Sequence, residues 1–407
     1  MASLRPRETS PGVARREDAG RCLAKSRGDE PPADAAARTA RGRNQAARLT
    51  MRTLCIAIAL SVCAMLPASS RAGSDACPVD EELAYVCGLQ RPEDIVALPE
   101  VPWLVASGFS TGAGLKLIDT RSRSVERWFE ASPGQLNPDR RTFPDCPGPV
   151  NPALFNARGL SLRQTGPGSY RLLVVNHGGR ESIEAFDVAT GGSKPRVTWR
   201  GCVPMPVDQV ANSVAQFADG TVLATVLTSP GTTIGDFMLG RSTGAVWQWK
   251  AGQSRFEELP GTRLPGNNGI ETDPDQKRFY VVAFGWHSVV VFDRRDTAAP
   301  LARIEAADFM PDNIHWTGGR LLIAGMRLDE PACGGLRKVV DGVADPMLCH
   351  RGWIVGEVDL DARRVSTLAY GRPRKAFNGL SAAALSGGEL WLGSFQSDRL
   401  AVLPRQD

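Results

Sequence analysis

A short phrase recurs six times along the chain, and each copy ends in Ile, Leu or Val after small or oxygen-bearing residues. The copies are PEDI at Pro92, ARGL at Ala157, ANSV at Ala211, NNGI at Asn267, PDNI at Pro311 and FNGL at Phe377. They are spaced by about 45 to 65 residues, and each opens a strand-like segment. One such phrase would be ordinary turn chemistry. Six at one register indicate a radial repeat.

The segments after each phrase have the pattern of short strands. Runs such as YRLLVVNH, RFYVVAFG and ELWLGSF alternate with dense turn signals, and no long amphipathic helix follows residue 72. Six such units predict an all-β chain folded as a six-bladed β-propeller. Two units carry insertions, residues 127–154 and 328–352, which either shape the entrance to a binding site or are tolerated decoration.

The first seventy or so residues differ in kind. Residues 1–50 have almost no aromatic or branched apolar residues, which predicts a disordered or spurious extension. Residues 51–72 have a short basic start, an apolar run and small residues, the layout of a signal peptide. We therefore expect translation to start at Met51 and the mature propeller to span residues 73–407. Removing residues 1–72, with about thirteen basic and six acidic side chains, changes the formal net charge from +4 to about −3.

This charge balance gives no reason to expect a nucleic-acid partner, and the apolar run is too short for a comfortable membrane span. A periplasmic or secreted location follows from the predicted signal. Six cysteines remain in the mature chain, and an even number in an exported protein favours disulfides. Cys77 with Cys87 and Cys333 with Cys349 are the obvious local pairs, leaving Cys146 with Cys202, although six cysteines allow fifteen pairings.

The phrases place oxygen-bearing side chains where the innermost strand of each blade begins, facing the axis. Glu93, Asn212, Asn268 and Asp312 hold that position in four blades, with Asn313 adjacent. Carboxylates and amide carbonyls without sulfur or a histidine cluster suit a hard cation, and calcium fits better than magnesium. The alternative is that these groups bond only one another and buried water.

Together, these motifs resemble the paraoxonase/arylesterase family of six-bladed calcium lactonases and, more distantly, the gluconolactonase/regucalcin group. The resemblance spans most of residues 87–405: FNARGLSL at Phe155 is similar to the family's FNPHGIS segment, and PDNIHW at Pro311 to its Asp-Asn phrase. LLVVNHGGRESIEAFDV at Leu172 and GELWLGSFQSDRLAVL at Gly388 resemble its Asn-His strand and closing blade. The resemblance implies that the calcium ligands are Glu93, Asn212, Asn268, Asp312 and Asn313.

A second, buried calcium in the family matches Asp94 and the backbone of Leu160, but Ser213 replaces its other acidic ligand. The family's proton-handling histidine dyad is also incomplete. His177 matches one histidine, whereas Arg158 stands in place of the other. Arginine stays protonated and cannot act as a general base, but it can bind a substrate carboxylate or a developing oxyanion.

The resemblance implies an exported calcium-dependent hydrolase of small lactones or aryl esters, with His177 or Asp312 as the base and Arg158 beside them. His287 resembles a pocket-lining position and is otherwise a surface residue. His315 is expected on the same strand face as Asn313 and, with His287, is a candidate substrate-pocket residue. The alternative is a non-catalytic binding or scaffold propeller in which calcium only braces the axis. The oligomeric state does not follow from the sequence.

Overall fold

The computed structural model describes residues 77–404, in which each of the six phrases leads into the first strand of its own four-stranded antiparallel sheet. The first strands of neighbouring sheets lie side by side around a common axis. The predicted all-β, six-bladed β-propeller is therefore confirmed. The expectations for residues 1–50 and 51–72 concern a part of the chain that lies outside the described residues.

The strands run from the axis outwards in each blade, except that the first strand of the chain belongs to the last blade. This strand is β1 (Ala84–Val86). Blade 1 contains β2 (Ile95–Leu98), β3 (Trp103–Ala106), β4 (Lys116–Asp119) and β5 (Val125–Arg127). Blade 2 contains β6 (Ala157–Gly166), β7 (Ser169–Asn176), β8 (Ser182–Ala189) and β9 (Arg196–Pro204). Blade 3 contains β10 (Ala211–Gln216), β11 (Val222–Val226), β12 (Ala245–Trp249) and β13 (Glu257–Glu258).

The second half of the ring repeats this arrangement with one added hairpin. Blade 4 contains β14 (Asn267–Thr272), β15 (Arg278–Ala283), β16 (Ser288–Asp293) and β17 (Ala302–Glu305). Blade 5 contains β18 (Phe309–Thr317), β19 (Arg320–Arg327), the hairpin strands β20 (Val339–Val340) and β21 (Val343–Ala344), and then β22 (Trp353–Asp359) and β23 (Arg364–Gly371). Blade 6 contains β24 (Leu380–Ser386), β25 (Glu389–Ser394) and β26 (Leu400–Pro404), completed by β1.

The two ends of the described chain close the ring. Strand β1 pairs antiparallel with β26, so that Tyr85 lies opposite Ala401. A disulfide between Cys77 and Cys87 ties the segment that carries β1. Closure joins the first and last segments in one sheet, which protects an edge that would otherwise remain open.

Four of the six phrases form a β-bulge near the start of the innermost strand. In β14 the pairing steps from Asn267 opposite Ala283 to Ile270 opposite Val281, so one strand carries an extra residue. The strands β6, β10 and β18 shift register at the same place in their phrases. A bulge bends the strand and redirects the side chains beside it. The small residues in the phrases permit this bend close to a neighbouring blade.

The two predicted insertions have different positions. Residues 127–154 run along the outer edge of blade 2, where Leu136 pairs with Trp199 and the disulfide Cys146–Cys202 ties the insertion to β9. This insertion covers an edge, so the structure favours decoration over entrance shaping for it. The insertion at 328–352 connects the second and third strands of blade 5, on the same face as the phrases, and its disulfide joins Cys333 to Cys349. All three expected disulfides are thus confirmed.

A further connection on the phrase face carries the short helix α1 (Ile234–Met238), which begins with a capping box between Thr233 and Asp236. Gly235 of the helix packs so closely on Gly342 of the blade 5 hairpin that a Cβ would lie 1.9 Å from its carbonyl oxygen. The helix and hairpin therefore cover the phrase face together. Three 3₁₀ turns complete the regular structure of the described residues: Pro133–Gln135, Phe284–Trp286 and Pro331–Cys333.

The core lies between the blades and is made of the alternating apolar residues of the strands. Trp199, Trp249 and Trp391 are among its largest fully buried side chains. Across the described part of the chain, no helix has the length and hydrophobicity needed to cross a membrane.

Candidate metal centre and its flanking residues

The second residue of the phrase lies at the axial end of the innermost strand in the blades that form the site. Asn313 donates from its amide to the Glu93 carboxylate over 3.0 Å, although the two residues come from blades 5 and 1. Asn268 of blade 4 hydrogen-bonds the Asp312 carboxylate of blade 5. Four of the five predicted calcium ligands are thus linked in neighbouring pairs.

Close backbone contact between blades makes this convergence possible. A Cβ on Gly269 would lie 2.5 Å from the Asp312 carbonyl oxygen, and one on Gly159 would lie 2.8 Å from the Asn212 carbonyl oxygen. Distances under 3 Å exclude any side chain unless the backbone moves. The glycine in these phrases therefore allows each inner strand to approach the next blade.

The site contains a set of buried oxygens that no protein group satisfies. Four of these oxygens are buried from solvent and have no hydrogen-bond partner within residues 77–404: Glu93 Oε2, Asn212 Oδ1, Asn268 Oδ1 and Asn313 Oδ1. Leaving a buried acceptor unpaired costs roughly 1–3 kcal/mol each. Four such acceptors, three at the second position of a phrase and one at the third, are the kind of donor set that a hard cation takes. These residues fit calcium.

The two carboxylates of the site repel each other in the absence of a cation. Burial, with the nearby Asp94 carboxylate, raises the pKa of Glu93 to about 7. Burial also raises the pKa of Asp312 well above its usual range, and Glu93 adds to the effect. Both shifts have the sign expected when negative charge is held close together in a dry place.

The donor set is rich in amides. In the described range no three His, Cys, Asp or Glu side chains converge as a metal-binding group, so a cation here would depend on asparagine oxygens. Blade 6 does not contribute, because the amide of Asn378 donates to Gln396 and accepts from the Arg351 backbone N–H. The predicted ligands therefore come from blades 1, 3, 4 and 5.

The residues of the predicted second metal site do come together, but protein donors hold the carboxylate. Asp94 accepts from the Leu160 backbone N–H at 2.7 Å, from its neighbour Ile95 at 2.9 Å, and lies 2.7 Å from His315 Nε2. Leu160 thus presents its N–H to Asp94. These three contacts engage the carboxylate that the predicted second metal site would use.

His315 lies inside the channel, where its buried ring is held between two acidic side chains. Its other ring nitrogen lies 3.6 Å from Glu271. Burial alone would lower the pKa of His315, but Asp94 and Glu271 together raise it to about 10. The protonated imidazole supplies a buried positive charge beside Asp94.

Blade 2 places Arg158, His177 and Glu181 beside the five predicted ligands. We call these ligands the oxygen ring: Glu93, Asn212, Asn268, Asp312 and Asn313. Arg158 follows Ala157 in β6, and its guanidinium lies 3.1 Å from the centroid of the Phe109 ring. Burial lowers the pKa of Arg158 to about 10, so the side chain stays charged at neutral pH. The Glu93 and Glu181 carboxylates both oppose this lowering of the pKa, so Arg158 lies between the oxygen ring and the His177–Glu181 pair.

His177 ends the second strand of blade 2, and its Nδ1 lies 2.6 Å from Glu181. The turn between them is fixed by Asn176, whose amide donates to the carbonyl oxygens of Gly178 and Arg180 and accepts from the Gly178 N–H. A carboxylate on Nδ1 holds that nitrogen as the donor and leaves Nε2 as the free acceptor.

His287 is the predicted pocket residue that the structure does not bring to the centre. It follows the 3₁₀ turn Phe284–Trp286, with a left-handed φ of 48°, and its carbonyl accepts from Ala306 beside the outer strand of blade 4. Burial, with the charge of Arg303, lowers its pKa. No hydrogen bond or ion pair between described residues links its ring to the axial group.

Two residues of the flanking region were not expected from the sequence. Glu181 lies four positions after His177 across a tight hairpin, a spacing that could have suggested the contact. Phe109 lies in the connection between β3 and β4, and no local signal ties it to Arg158. Its ring, 37% exposed, also lies 6.3 Å from that of Phe395.

No protein-family profile and no curated protein sequence matches this chain. Solved structures do resemble it. They include a gluconolactonase from Xanthomonas campestris, at 15% identity and a TM-score of 0.47, covering 80% of this chain and 89% of that one. They also include a luciferin-regenerating enzyme, at 11% identity and a TM-score of 0.46, covering 79% and 95%. A gluconolactonase is thus among the structures that the chain resembles. At these identities the likeness concerns the fold alone.

Proposed function

We propose that the protein is a calcium-dependent hydrolase of lactones or aryl esters. The observation that supports it is the set of four buried oxygens without a partner in the described structure, on Glu93, Asn212, Asn268 and Asn313. Together with the Asp312 carboxylate they would supply two carboxylates and three amide carbonyls. Calcium prefers about six to eight oxygens, so room remains for water and a substrate carbonyl.

A calcium ion at this site would polarise the carbonyl of the substrate and favour negative charge on its oxygen. The cation also explains how Glu93 and Asp312 can both be ionised at neutral pH, although burial raises the pKa of each and Glu93 raises that of Asp312 further. The proposed ligands are the five residues that the sequence predicts.

His177 is the proposed general base. Its Nδ1 faces Glu181, so Nε2 can accept a proton from a water molecule, and the carboxylate stabilises the imidazolium that results. Asp312 is the second candidate, since its raised pKa would suit a proton acceptor when no cation holds it. Arg158 keeps its proton and contributes positive charge only.

A buried apolar cluster lies under the helix α1, on the side of blades 3 to 5: Phe237, Phe284, Met310 and Met326. Helix α1 supplies the first of these side chains. The cluster anchors the helix on the phrase face, beside the proposed site.

Export to the periplasm or beyond is proposed with this function. The three disulfides are consistent with an oxidising compartment. N-terminal sequencing of the protein recovered outside the cytoplasm tests this, with a start near Gly73 as the expected result and a start before Met51 as the contradicting one.

The decisive experiment for the activity is a panel of γ- and δ-lactones and phenyl acetate, assayed in calcium and after chelation. Hydrolysis that is lost in EDTA and restored by calcium is expected. Activity that ignores chelation contradicts the proposal. If calcium raises the melting temperature but no member of the panel is hydrolysed, the protein is instead a propeller in which the ion is structural.

A further inference from the structure

Arg158 carries hydrogen-bond donors that nothing in the described structure satisfies. Its Nε and Nη1 atoms are buried and have no acceptor among residues 77–404. One face of the guanidinium is covered by the Phe109 ring. Such stacking covers the face of the guanidinium and leaves its N–H groups, which lie along the edge, able to donate. The described protein supplies no acceptor for Nε and Nη1.

The carboxylates nearest to Arg158 are engaged elsewhere. Glu181 lies against His177, and Glu93 accepts from Asn313 with one oxygen while the other belongs to the proposed cation site. Neither forms an ion pair with Arg158 within 4 Å. A cation bound at the candidate metal centre would neutralise the charge of Glu93. The Arg158 guanidinium would then lack a partner of opposite charge.

A second positively charged side chain, Arg91, belongs to the segment beside Phe109. Its backbone carbonyl accepts from the Phe109 N–H at 2.8 Å, and its charge acts on that of Arg158. The arginine is exposed on the rim of a cleft of about 850 Å³ that Phe109 and Lys375 also line. No described carboxylate forms an ion pair with Arg91 or Lys375. Two arginines placed together, neither in an ion pair with a described carboxylate, attract an anion.

We propose that Arg158 and Arg91 form an anion site flanking the candidate metal centre, and that the substrate is therefore a lactone or ester that carries a carboxylate. This inference rests on the proposed function. The planar guanidinium matches a carboxylate with two parallel hydrogen bonds, which a neutral group of the same shape cannot reproduce. The carboxylate would lie over Phe109 while the carbonyl to be hydrolysed faces the oxygen ring.

The test compares 5-oxotetrahydrofuran-2-carboxylate with the corresponding carboxamide, which has the same ring and nearly the same shape. The wild-type protein in calcium is expected to show a kcat/KM about 10- to 100-fold higher for the carboxylate, the range that one charged hydrogen-bond pair supplies. R158Q should reduce this ratio to near one, R158K should restore part of it, and R91Q should lower it less.

R295Q is the matched control, because Arg295 is exposed in the turn between the third and fourth strands of blade 4, away from the phrase that opens that blade. It should leave the ratio unchanged. A ratio that stays at the wild-type value in R158Q overturns the proposal. So does an equal loss of kcat/KM on both substrates, which would assign Arg158 to the oxyanion.

A failure of the proposed function is recognised separately, because then neither compound is hydrolysed. In that case calorimetry with the two intact compounds decides. Binding of the carboxylate but not the carboxamide by the wild type, lost in R158Q, supports the anion site, and equal or absent binding overturns it. If R158Q does not fold, R158K and R91Q give the same comparison.

Discussion

The Nδ1 atom of His177 and the Glu181 carboxylate lie 2.6 Å apart across a hairpin turn of blade 2. This contact fixes the tautomer of His177, because an ionised carboxylate takes the nitrogen that carries the proton. Arg158, on the innermost strand of the same blade, stays charged. The expected proton acceptor is therefore Nε2, the one nitrogen that Glu181 leaves free.

E181Q tests this pairing. The amide is nearly the same size, so the fold should be unaffected, but it cannot stabilise a positively charged imidazole. We expect kcat to fall at least about tenfold with little change in KM, measured on the best lactone of the panel in saturating calcium.

The matched control is E258Q, which removes a surface carboxylate that pairs with Arg263 at the edge of blade 3. Such exposed pairs contribute little, and kcat should stay at the wild-type value. Equal kcat in E181Q and the wild type would show that His177 is not the base.

Two neighbouring asparagines offer a sharper contrast. Asn267 uses its amide fully, donating to Thr262 at 2.8 Å and accepting from Leu264 at 3.1 Å. Asn268 leaves its Oδ1 buried and without a partner in the described structure. The first should therefore serve the fold and the second the cation.

N267A is expected to lower the free energy of unfolding by roughly 1–3 kcal/mol, with or without calcium. N268A also loses a hydrogen bond, to Asp312, but unlike N267A it should weaken calcium binding at least about tenfold. Chemical denaturation and calcium titration on both variants measure these effects. If N268A binds calcium as well as the wild type, the axial site is not where the ion binds.

The sequence predicts the fold well because the repeated phrase has a local physical meaning. Each phrase that bulges does so within four residues, so its small or oxygen-bearing residues can be recognised without knowing the partner strand. The disulfides were also predictable, since two of the three pairs close short loops. Local chemistry and spacing suffice for both.

Contacts between distant residues were not predictable in this way. His315 and Asp94 are 221 positions apart, and only the closed ring brings them together. The stacking of Arg158 on Phe109 likewise depends on two segments from different blades. Asp94 illustrates the limit, because the sequence does not reveal that an imidazole lies against that carboxylate.

Calcium binding should depend on pH through Glu93, whose pKa of about 7 applies to the metal-free protein. Above that pH the carboxylate is ionised and ready to bind. Below it a proton must leave first, so calcium affinity should fall at least about tenfold per pH unit. Asp312, with its raised pKa, would make the dependence steeper. Calorimetry between pH 5.5 and 8.5 measures it, and equal affinity at pH 6 and pH 8 would contradict it.

Gly269 tests whether close contact between blades shapes the site. A Cβ there would meet the Asp312 carbonyl oxygen at 2.5 Å and the Asn313 Cα at 2.8 Å, both backbone atoms of proposed ligands. G269A should therefore cost roughly 1–3 kcal/mol of stability and weaken calcium binding as well. A Cβ on Gly166, in β6, would have no heavy atom within 4 Å, so G166A is the matched control and should leave both properties near the wild-type values. Denaturation and calcium titration on the two variants give the comparison. If G269A matches G166A in calcium affinity, the spacing between blades 4 and 5 does not determine the ligand geometry.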